Sequence, residues 1–244
     1  MLSPKPSDSK LQKLSLRLQG HDLVPLPEGA LWWPAQKTLI VSDLHLEKGV
    51  SYARGGQYLP PYDTQSTLDR VVRLIRSFQP ARLISLGDSF HTPTSASHLD
   101  ATCQGIIRDL TDQLEWVWIE GNHDPDPPAH LGGVCLRELR LGRLVFRHEP
   151  TGEAGEVAGH LHPCARVSGR GGKAVRRRCF VTNGDALVMP AMGAFTGGLN
   201  VLDAAYMPVL GQRRQAFMMG ADRVYAISPD RLIEDRTKGS VWRF

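Results

Sequence analysis

The sequence has no apolar run long enough to span a bilayer, and it has only four cysteines. A transmembrane helix needs about 20 consecutive apolar residues, so we expect no membrane segment and no membrane partner. The cysteines, at positions 103, 135, 164 and 179, show no close pairing, which is typical of free thiols in a reducing compartment. The N-terminus also lacks the apolar region of a secretion signal. These absences predict a cytoplasmic protein.

The composition favours one folded domain. Hydrophobic residues make up 41% of the 244 residues, which is enough for a core and unlike a disordered chain. We expect residues 1–13, which are polar and carry proline and serine, to form a loose tail. Residues 14–244 should form a single domain. The net charge of +4 is compatible with a polyanionic partner but does not identify one.

Apolar strands and amphipathic helices alternate in the first half of the chain. Strand patterns at residues 37–41, 82–86 and 115–119 alternate with helix patterns at residues 63–78 and 97–110. This order predicts an α/β layered sheet. Further short strands are predicted at residues 14–18, 31–33, 144–146, 156–158, 179–182 and 224–227.

Two stretches are predicted to be loops because of their glycine and proline content. Residues 47–62 form the first, and a loop of this length is more often functional than idle. Within it, Arg54 is a candidate contact for a substrate phosphate, and a solvated arginine is an equal alternative. Residues 193–200 form the second. They lack the Walker spacing, so we do not interpret them as a nucleotide cradle.

Five polar blocks follow one another along the chain and carry its most specific pattern. The blocks are Ser42-Asp43-Leu44-His45, Gly87-Asp88-Ser89-Phe90-His91, Gly121-Asn122-His123-Asp124, His148 and Gly159-His160-Leu161-His162. A single Asp-x-His pattern is common by chance, and we interpret His21, His98 and His130 as ordinary surface or core residues. Five such blocks in order are far less common, so we interpret them as parts of one site.

Strand periodicity suggests how these blocks converge. Residues two apart in a strand point the same way, so Asp43 and His45 should project together past the carboxyl end of the strand at 37–41. His160 and His162 repeat this spacing. Ligands bind at the carboxyl edge of open α/β sheets. The glycines before Asp88, Asn122 and His160 predict tight turns or close backbone approach.

The candidate ligands are carboxylate, imidazole and amide oxygen, without a cysteine cluster. This mixture suits manganese, iron or zinc better than calcium or magnesium, which prefer all-oxygen sites. Two ions need a bridging carboxylate, and Asp88 is well placed for it. Such a pair of ions polarises a phosphate ester and activates water, and His123 could protonate the leaving group. The blocks therefore predict a site for two divalent transition-metal ions that hydrolyses phosphate esters.

At these residues the sequence resembles the calcineurin-like metallophosphoesterase superfamily, over about residues 39–162. The resemblance implies a β-sandwich of two sheets flanked by helices, with metals at the carboxyl ends of the strands. It implies one metal held by Asp43, His45, Asp88 and His162, and another held by Asp88, Asn122, His148 and His160. It also implies that His123 lies beside the substrate phosphate and is supported by Asp124. The sequence departs from the pattern at Arg147, where the superfamily usually has glycine.

A closer resemblance links the chain to the ligase-associated DNA damage response endonucleases. It is carried by residues 43–49, 59–64, 87–91 and 193–198. It implies a bacterial manganese-dependent phosphodiesterase in DNA repair, with a DNA ligase, a helicase and a second nuclease as functional partners. His91 matches a position that helps to stabilise the transition state in nuclease members.

The segment from Arg166 to Arg178 is strongly basic. Its cations are Arg166, Arg170, Lys173, Arg176, Arg177 and Arg178. Three glycines predict a flexible segment, and it begins just after His162. We expect Arg176, Arg177 and Arg178 above all to hold a DNA backbone without sequence preference. The alternative is a solvated hairpin tip.

Three functions compete for this pattern. The first is a DNA phosphodiesterase, and the second is an enzyme of the same fold acting on a cyclic nucleotide or another small phosphate ester. The third is a metal-stabilised scaffold without catalysis, which the complete ligand set and His123 disfavour. The sequence leaves open the native metal, the strandedness of DNA, endo or exo cleavage, and the oligomeric state.

Overall fold

Two stacked β-sheets with helices outside them form the part of the chain that a computed structural model describes, residues 14–54, 63–124 and 129–235. The expected α/β fold is confirmed. The expected tail, residues 1–13, lies outside the described residues, and the bounds of the single domain stay a prediction.

The first sheet has seven strands arranged in sequence order. They are β1 (Leu16–Leu18), β2 (His21–Pro25), β3 (Leu31–Trp33), β4 (Thr38–Val41), β5 (Arg82–Leu86), β6 (Glu115–Ile119) and β7 (Val134–Leu136). Strands β1 to β4 pair antiparallel, whereas β4 to β7 pair parallel. The carboxyl ends of β4, β5 and β6 therefore lie at the same edge of the sheet.

The second sheet is mixed and comes from the later part of the chain. Its strands are β8 (Leu139–Leu141), β9 (Leu144–Arg147), β10 (Glu156–Ala158), β11 (Cys164–Ser168), β12 (Ala174–Thr182), β13 (Leu187–Val188), β14 (Gln215–Met219) and β15 (Val224–Ile227). Their order is β15-β14-β12-β13-β10-β9-β8, and β11 pairs with β12. β9 and β10 are parallel, so their carboxyl ends also lie together.

Four α-helices complete the described chain: α1 (Lys48–Arg54), α2 (Asp63–Phe78), α3 (Ala101–Gln113) and α4 (Met207–Leu210). Short 3-10 turns occur at Pro34–Gln36, Ser95–His98, Ala129–Leu131, Arg170–Gly172, Ala204–Tyr206 and Pro229–Arg231. The prediction for α2 is confirmed. Within the described ranges, none of these helices combines the length and apolar character of a membrane span.

One helix prediction was wrong at its boundary and one loop prediction was wrong in type, and side-chain caps explain both. α3 begins at Ala101 rather than at residue 97, because the Asp100 carboxylate accepts a hydrogen bond from the Cys103 amide at 2.7 Å. The predicted loop after His45 contains α1. The Asp63 carboxylate accepts a hydrogen bond from the Gly49 amide at 2.8 Å, so a residue 14 positions away caps this helix.

Alternation of side chains along the strands divides the core into layers. Ile40 and Ile84 of the first sheet belong to one buried cluster with Phe146 and Phe180 of the second, so this cluster fills the space between the sheets. On the other face of the first sheet, residues such as Trp116 pack under α2 and α3. The sheets are thereby fixed with the carboxyl ends of β4, β5, β6, β9 and β10 near one another.

The basic segment is an ordered hairpin, so the prediction that it is flexible was wrong. β11 and β12 pair antiparallel over five residues, from Cys164 opposite Arg178 to Ser168 opposite Ala174. The glycines 171 and 172 have positive φ and form the turn at its tip. Glycine here permits a tight turn between strands rather than a disordered stretch.

Candidate metal centre

Two neighbouring groups of aspartate and histidine lie at the shared edge of the sheets. The first contains Asp43, His45 and His162, and the second contains Asp88, His148 and His160. In each group the candidate ligand atoms lie within 4.8 Å of one another. Every member follows the carboxyl end of β4, β5, β9 or β10 within a few residues. The fold thus brings together residues separated by more than 100 positions.

In the first group, imidazole nitrogens approach a buried carboxylate. His162 Nε2 lies 3.0 Å from Asp43 Oδ1. His45 Nε2 lies 3.4 Å from His162 Nε2 and 4.0 Å from Asp88 Oδ2. The carboxylate of Asp43 also accepts hydrogen bonds from the Ser42 hydroxyl and from the backbone amide of His160.

In the second group, Asn122 joins the two histidines as the sequence predicts. Asn122 Oδ1 lies 2.8 Å from His148 Nε2 and 3.0 Å from His160 Nδ1. His148 Nε2 lies 3.4 Å from Asp88 Oδ2. Asp88 Oδ2 is therefore close to nitrogens of both groups, which is the position that a bridging carboxylate needs.

The backbone of the site has an unusual conformation. Asp43, His45, Asp88, His160 and His162 all have positive φ, between 43° and 68°. Asp43 and His45 lie together past the end of β4, as predicted. Strand alternation is not the reason, because β4 ends at Val41 and the backbone then turns. Each left-handed residue costs roughly 1–3 kcal/mol, and such strain persists at functional sites where the surroundings impose it.

Hydrogen bonds between strand-end loops impose this conformation. The His45 amide donates to the Asp88 carbonyl at 2.9 Å, and the Gly193 amide donates to the Asp43 carbonyl at 3.0 Å. Residues 191–198 are thus part of the support of the site. Arg70 donates to the Met192 carbonyl at 2.7 Å, and Arg178 donates to the Ala191 carbonyl at 2.9 Å.

The glycines of the polar blocks allow close backbone approach, as predicted. A Cβ atom on Gly87 would meet the ring of His148, and Gly87 also has φ of +71°. A Cβ atom on Gly121 would meet the Asp88 backbone nitrogen. A Cβ atom on Gly159 would meet the Ser42 hydroxyl and the Asp43 carboxylate. Three ligand positions therefore depend on the absence of a neighbouring side chain.

Burial and mutual attraction shift the pKa values of the site. Burial opposes ionisation of Asp43, but the imidazoles of His162, His148 and His45 hold its pKa below the ordinary value. Burial also opposes ionisation of Asp88, and a hydrogen bond from His148 nevertheless lowers its pKa. Burial lowers the pKa of His45 to about 3. Two ionised carboxylates beside a neutral imidazole favour a bound cation.

The pKa of His148 also indicates that the two carboxylates attract positive charge. Burial disfavours its charged form, yet Asp88 and Asp43 raise its pKa to about 9. Its Nδ1 lies 2.9 Å from the Leu86 carbonyl and can donate to it, which directs Nε2 toward Asp88. A proton and a metal ion compete for this nitrogen. The donor set of each group fits a divalent transition metal, since nitrogen and oxygen atoms converge without a cysteine.

Arg147, which departs from the superfamily pattern, leaves the position of His148 intact. Its guanidinium lies 2.6 Å from Glu153, 3.0 Å from Glu138 and 3.3 Å from the buried Glu156. The side chain is therefore held by carboxylates just before β8, in the loop between β9 and β10, and on β10, while the next residue turns its ring toward Asp88.

His123 and His91 form a stacked pair beside Asp88. Their ring centroids are 5.6 Å apart and their planes differ by 18°. His123 Nδ1 lies 3.0 Å from the His91 carbonyl oxygen, and His123 Nε2 lies 3.9 Å from Asp88 Oδ2. The His123 side chain is 43% exposed, so a substrate can reach it. Burial, Lys48 and His123 lower the pKa of His91 to about 4, which keeps this ring neutral.

The expectation that Asp124 directly supports the His123 side chain was wrong. The Asp124 carboxylate accepts a hydrogen bond from the Phe90 amide at 3.0 Å, and its other oxygen is buried without a partner among the described residues. Burial raises the pKa of Asp124 to about 7. The His91 carbonyl supports His123 instead, because the turn after His123 directs Asp124 into the protein.

The predicted substrate-binding arginines differ in their availability. Arg176 contacts Asp235 at 3.1 Å and the Gly198 carbonyl at 2.6 Å. Arg178 is half-buried and holds carbonyls of residues 191 and 196. Arg177 is exposed and has no hydrogen bond or ion pair within the described ranges. Arg54 ends α1, and its side chain lies outside the described part of the molecule.

Sequence reasoning missed Lys48 and Tyr52, which lie close to the site. Lys48 Nζ lies 5.8 Å from the Tyr52 ring centroid, and that ring lies 5.8 Å from the ring of His91. The two residues are four positions apart, a spacing that places side chains on one face of a helix. Reading the stretch as a loop concealed this signal.

Comparisons with known proteins place the chain in a family. The chain matches the calcineurin-like phosphoesterase family over residues 36–193. It is similar to a solved structure, the Pseudomonas putida nuclease MPE, with 30% identity and a TM-score of 0.68, over 88% of this chain and 99% of that chain. Yfce, a phosphoesterase from E. coli, is 17% identical with a TM-score of 0.39, over 80% of this chain and 96% of that chain. A search of curated proteins found no match.

The fold and the two Asp/His groups define a metal-dependent phosphoester hydrolase. The chain belongs to the calcineurin-like phosphoesterase family, since the match extends over more than half of its length. The similarity to the Pseudomonas putida nuclease is consistent with the resemblance to the ligase-associated endonucleases.

The contact between Gly87 and His148 predicts a specific effect on metal affinity. Gly87→Ala should weaken binding of Mn²⁺ by about 10- to 100-fold, because the added methyl group displaces the His148 ring. Calorimetric titration of the chelated protein measures this. Gly184→Ala is the matched control, because Gly184 also has positive φ but has open space around its Cβ position. Equal affinity in the two variants would contradict the role given to this contact.

Proposed function

We propose that the protein is a binuclear metal-dependent phosphodiesterase that cleaves DNA during repair. The observation that carries this proposal is the placement of Asp88, whose carboxylate lies between two Asp/His groups and beside the His123–His91 pair. The 30% identity to the Pseudomonas putida nuclease supports a nucleic acid as the substrate class. A phosphodiester of DNA offers the charged oxygens that such a site attracts.

The proposed metals are two divalent transition-metal ions, most simply manganese, with iron and zinc as alternatives. Their proposed ligands are Asp43, His45, Asp88 and His162 for one ion, and Asp88, Asn122, His148 and His160 for the other. When bound, such ions polarise the phosphoryl oxygens and lower the pKa of a coordinated water. The protein's part is to hold these side chains at the converging strand ends before the substrate arrives.

His123 is the proposed proton donor or electrostatic stabiliser of the leaving group. Its Nδ1 faces the His91 carbonyl, so its Nε2 faces the open side of the site. His91 positions it through the carbonyl and through the stacked ring. Asp124 contributes indirectly, since it fixes the backbone at Phe90 that precedes His91. All three residues of the predicted catalytic set stay in the proposal, and both His91 and Asp124 now have positioning roles.

The proposed DNA contact is the exposed face of the β11–β12 hairpin. Arg177 is available to a phosphate backbone, whereas Arg176 and Arg178 hold the loop that supports Asp43. Arg54 is a second proposed phosphate contact. A DNA ligase, a helicase and a second nuclease are the proposed functional partners, and the cytoplasm is the proposed location.

Loss of the bridging charge tests the binuclear centre. Asp88→Asn should lose at least one ion per chain and nearly all hydrolysis of an aryl phosphodiester, because its charge would serve both ions. Metal analysis of the chelated and reloaded protein measures the first effect. Asp109→Asn, on the exposed face of α3, is the control and should keep both. Full metal content with normal turnover in the Asp88 variant would contradict the proposal.

Replacement of His123 tests its part in the chemical step. His123→Ala should keep its metal and lower turnover of a diester with an alkyl leaving group by about 10²–10⁴-fold. A diester with an activated aryl leaving group should lose less, because it needs no proton. His130→Ala, an exposed histidine, is the control. Equal losses on both esters would leave an electrostatic role only, and loss of metal would refute the assignment.

Arg177 provides a sharper test of DNA binding than a triple arginine variant. Arg177→Ala should weaken DNA binding and reduce the log–log salt slope by about 0.7–0.9, the value for one phosphate contact. The comparison is Arg17→Ala, which removes the same charge from the exposed edge of β1. Unchanged affinity and slope would exclude Arg177 as a DNA contact. Turnover of small esters without DNA cleavage would favour the small-molecule alternative.

A further inference from the structure

Tyr52 presents an aromatic ring at the rim of the metal centre. The residue is 37% exposed, although tyrosine has a large apolar ring. Its ring centroid lies 5.8 Å from that of His91, with the planes inclined by 36°. His91 in turn stacks on His123. Three rings therefore extend outward from Asp88, and the outermost keeps part of its surface open to solvent.

A cation lies close to the Tyr52 ring. Lys48 lies one helical turn before it, with Nζ 5.8 Å from the ring centroid. Lys48 is half-buried and forms no ion pair with any residue in the described ranges. Burial and the nearby charge of Arg178 lower the pKa of Lys48, and the carboxylates of Asp63 and Asp88 only partly oppose this shift.

Aromatic rings beside a basic site commonly bind nucleobases by stacking. Every base has a flat π-face, so such stacking tolerates different sequences. A ring that served only to pack His91 would gain more by full burial. The 37% exposure of Tyr52 leaves part of the residue accessible to a ligand.

We propose that Tyr52 is a stacking platform for the base of the nucleotide that flanks the scissile phosphate. This inference rests on the proposed phosphodiesterase function and adds a specificity-determining residue to it. The site would then distinguish a nucleoside ester from an ester that lacks a base, even when the reacting phosphate and the leaving group are identical.

The test uses aryl phosphodiesters of thymidine, attached through the 3′ or the 5′ oxygen, and the same esters of the abasic sugar. The metal-loaded protein should prefer at least one thymidine ester by roughly 5- to 100-fold in kcat/KM. Tyr52→Ala should reduce that preference to near one, and Tyr52→Phe should retain it. Tyr225→Ala, an exposed tyrosine on β15, is the control and should leave the preference unchanged.

Three results would overturn this inference. An undiminished preference in Tyr52→Ala would show that another group binds the base. Equal losses on thymidine and abasic esters would leave the preference unchanged and show that Tyr52 only supports His91. The absence of any preference in the unsubstituted protein would also refute it. Failure of the proposed function is distinct, because neither class of ester would then be hydrolysed with any divalent metal.

Discussion

The carboxylate of Asp88 is the constraint on which the rest of the site depends. It lies 3.4 Å from His148 Nε2, 4.0 Å from His45 Nε2 and 3.9 Å from His123 Nε2. Its other oxygen accepts a hydrogen bond from the His123 amide at 2.9 Å. One buried negative charge thus lies close to candidate ligands from both sheets and to His123, at a large desolvation cost that a bound cation would offset.

The side chains around Asp88 lie on strained turns at the strand ends rather than on regular strands. Five of the candidate ligands have left-handed backbone, and glycines leave space for the adjacent rings and carboxylates. Hydrogen bonds from residues 192 and 193 to Ser42 and Asp43 join the first turn to the second sheet. The buried core between the sheets fixes the positions of the strand ends, so the surrounding structure can hold these strained turns in place.

The sequence predicts well which Asp and His side chains converge, because their residue types and order are specific. Residue type and order alone were enough to assign Asp43, Asp88 and His148 to the same site. Their conformation could not be predicted, since positive φ arises from contacts between distant loops. The helix α1 and the paired state of Arg176 were missed for the same reason: Asp63 and Asp235 supply partners that no local pattern reveals. Asp124 shows that neighbouring residues in sequence need not contact each other.

Anomalous diffraction from crystals of the manganese-loaded protein is the most direct measurement of whether two ions share the Asp88 carboxylate. We expect two anomalous peaks per chain, both within bonding distance of the Asp88 carboxylate, with Asp43, His45 and His162 around one and Asn122, His148 and His160 around the other. A single peak, or two peaks of which only one contacts Asp88, would contradict the account.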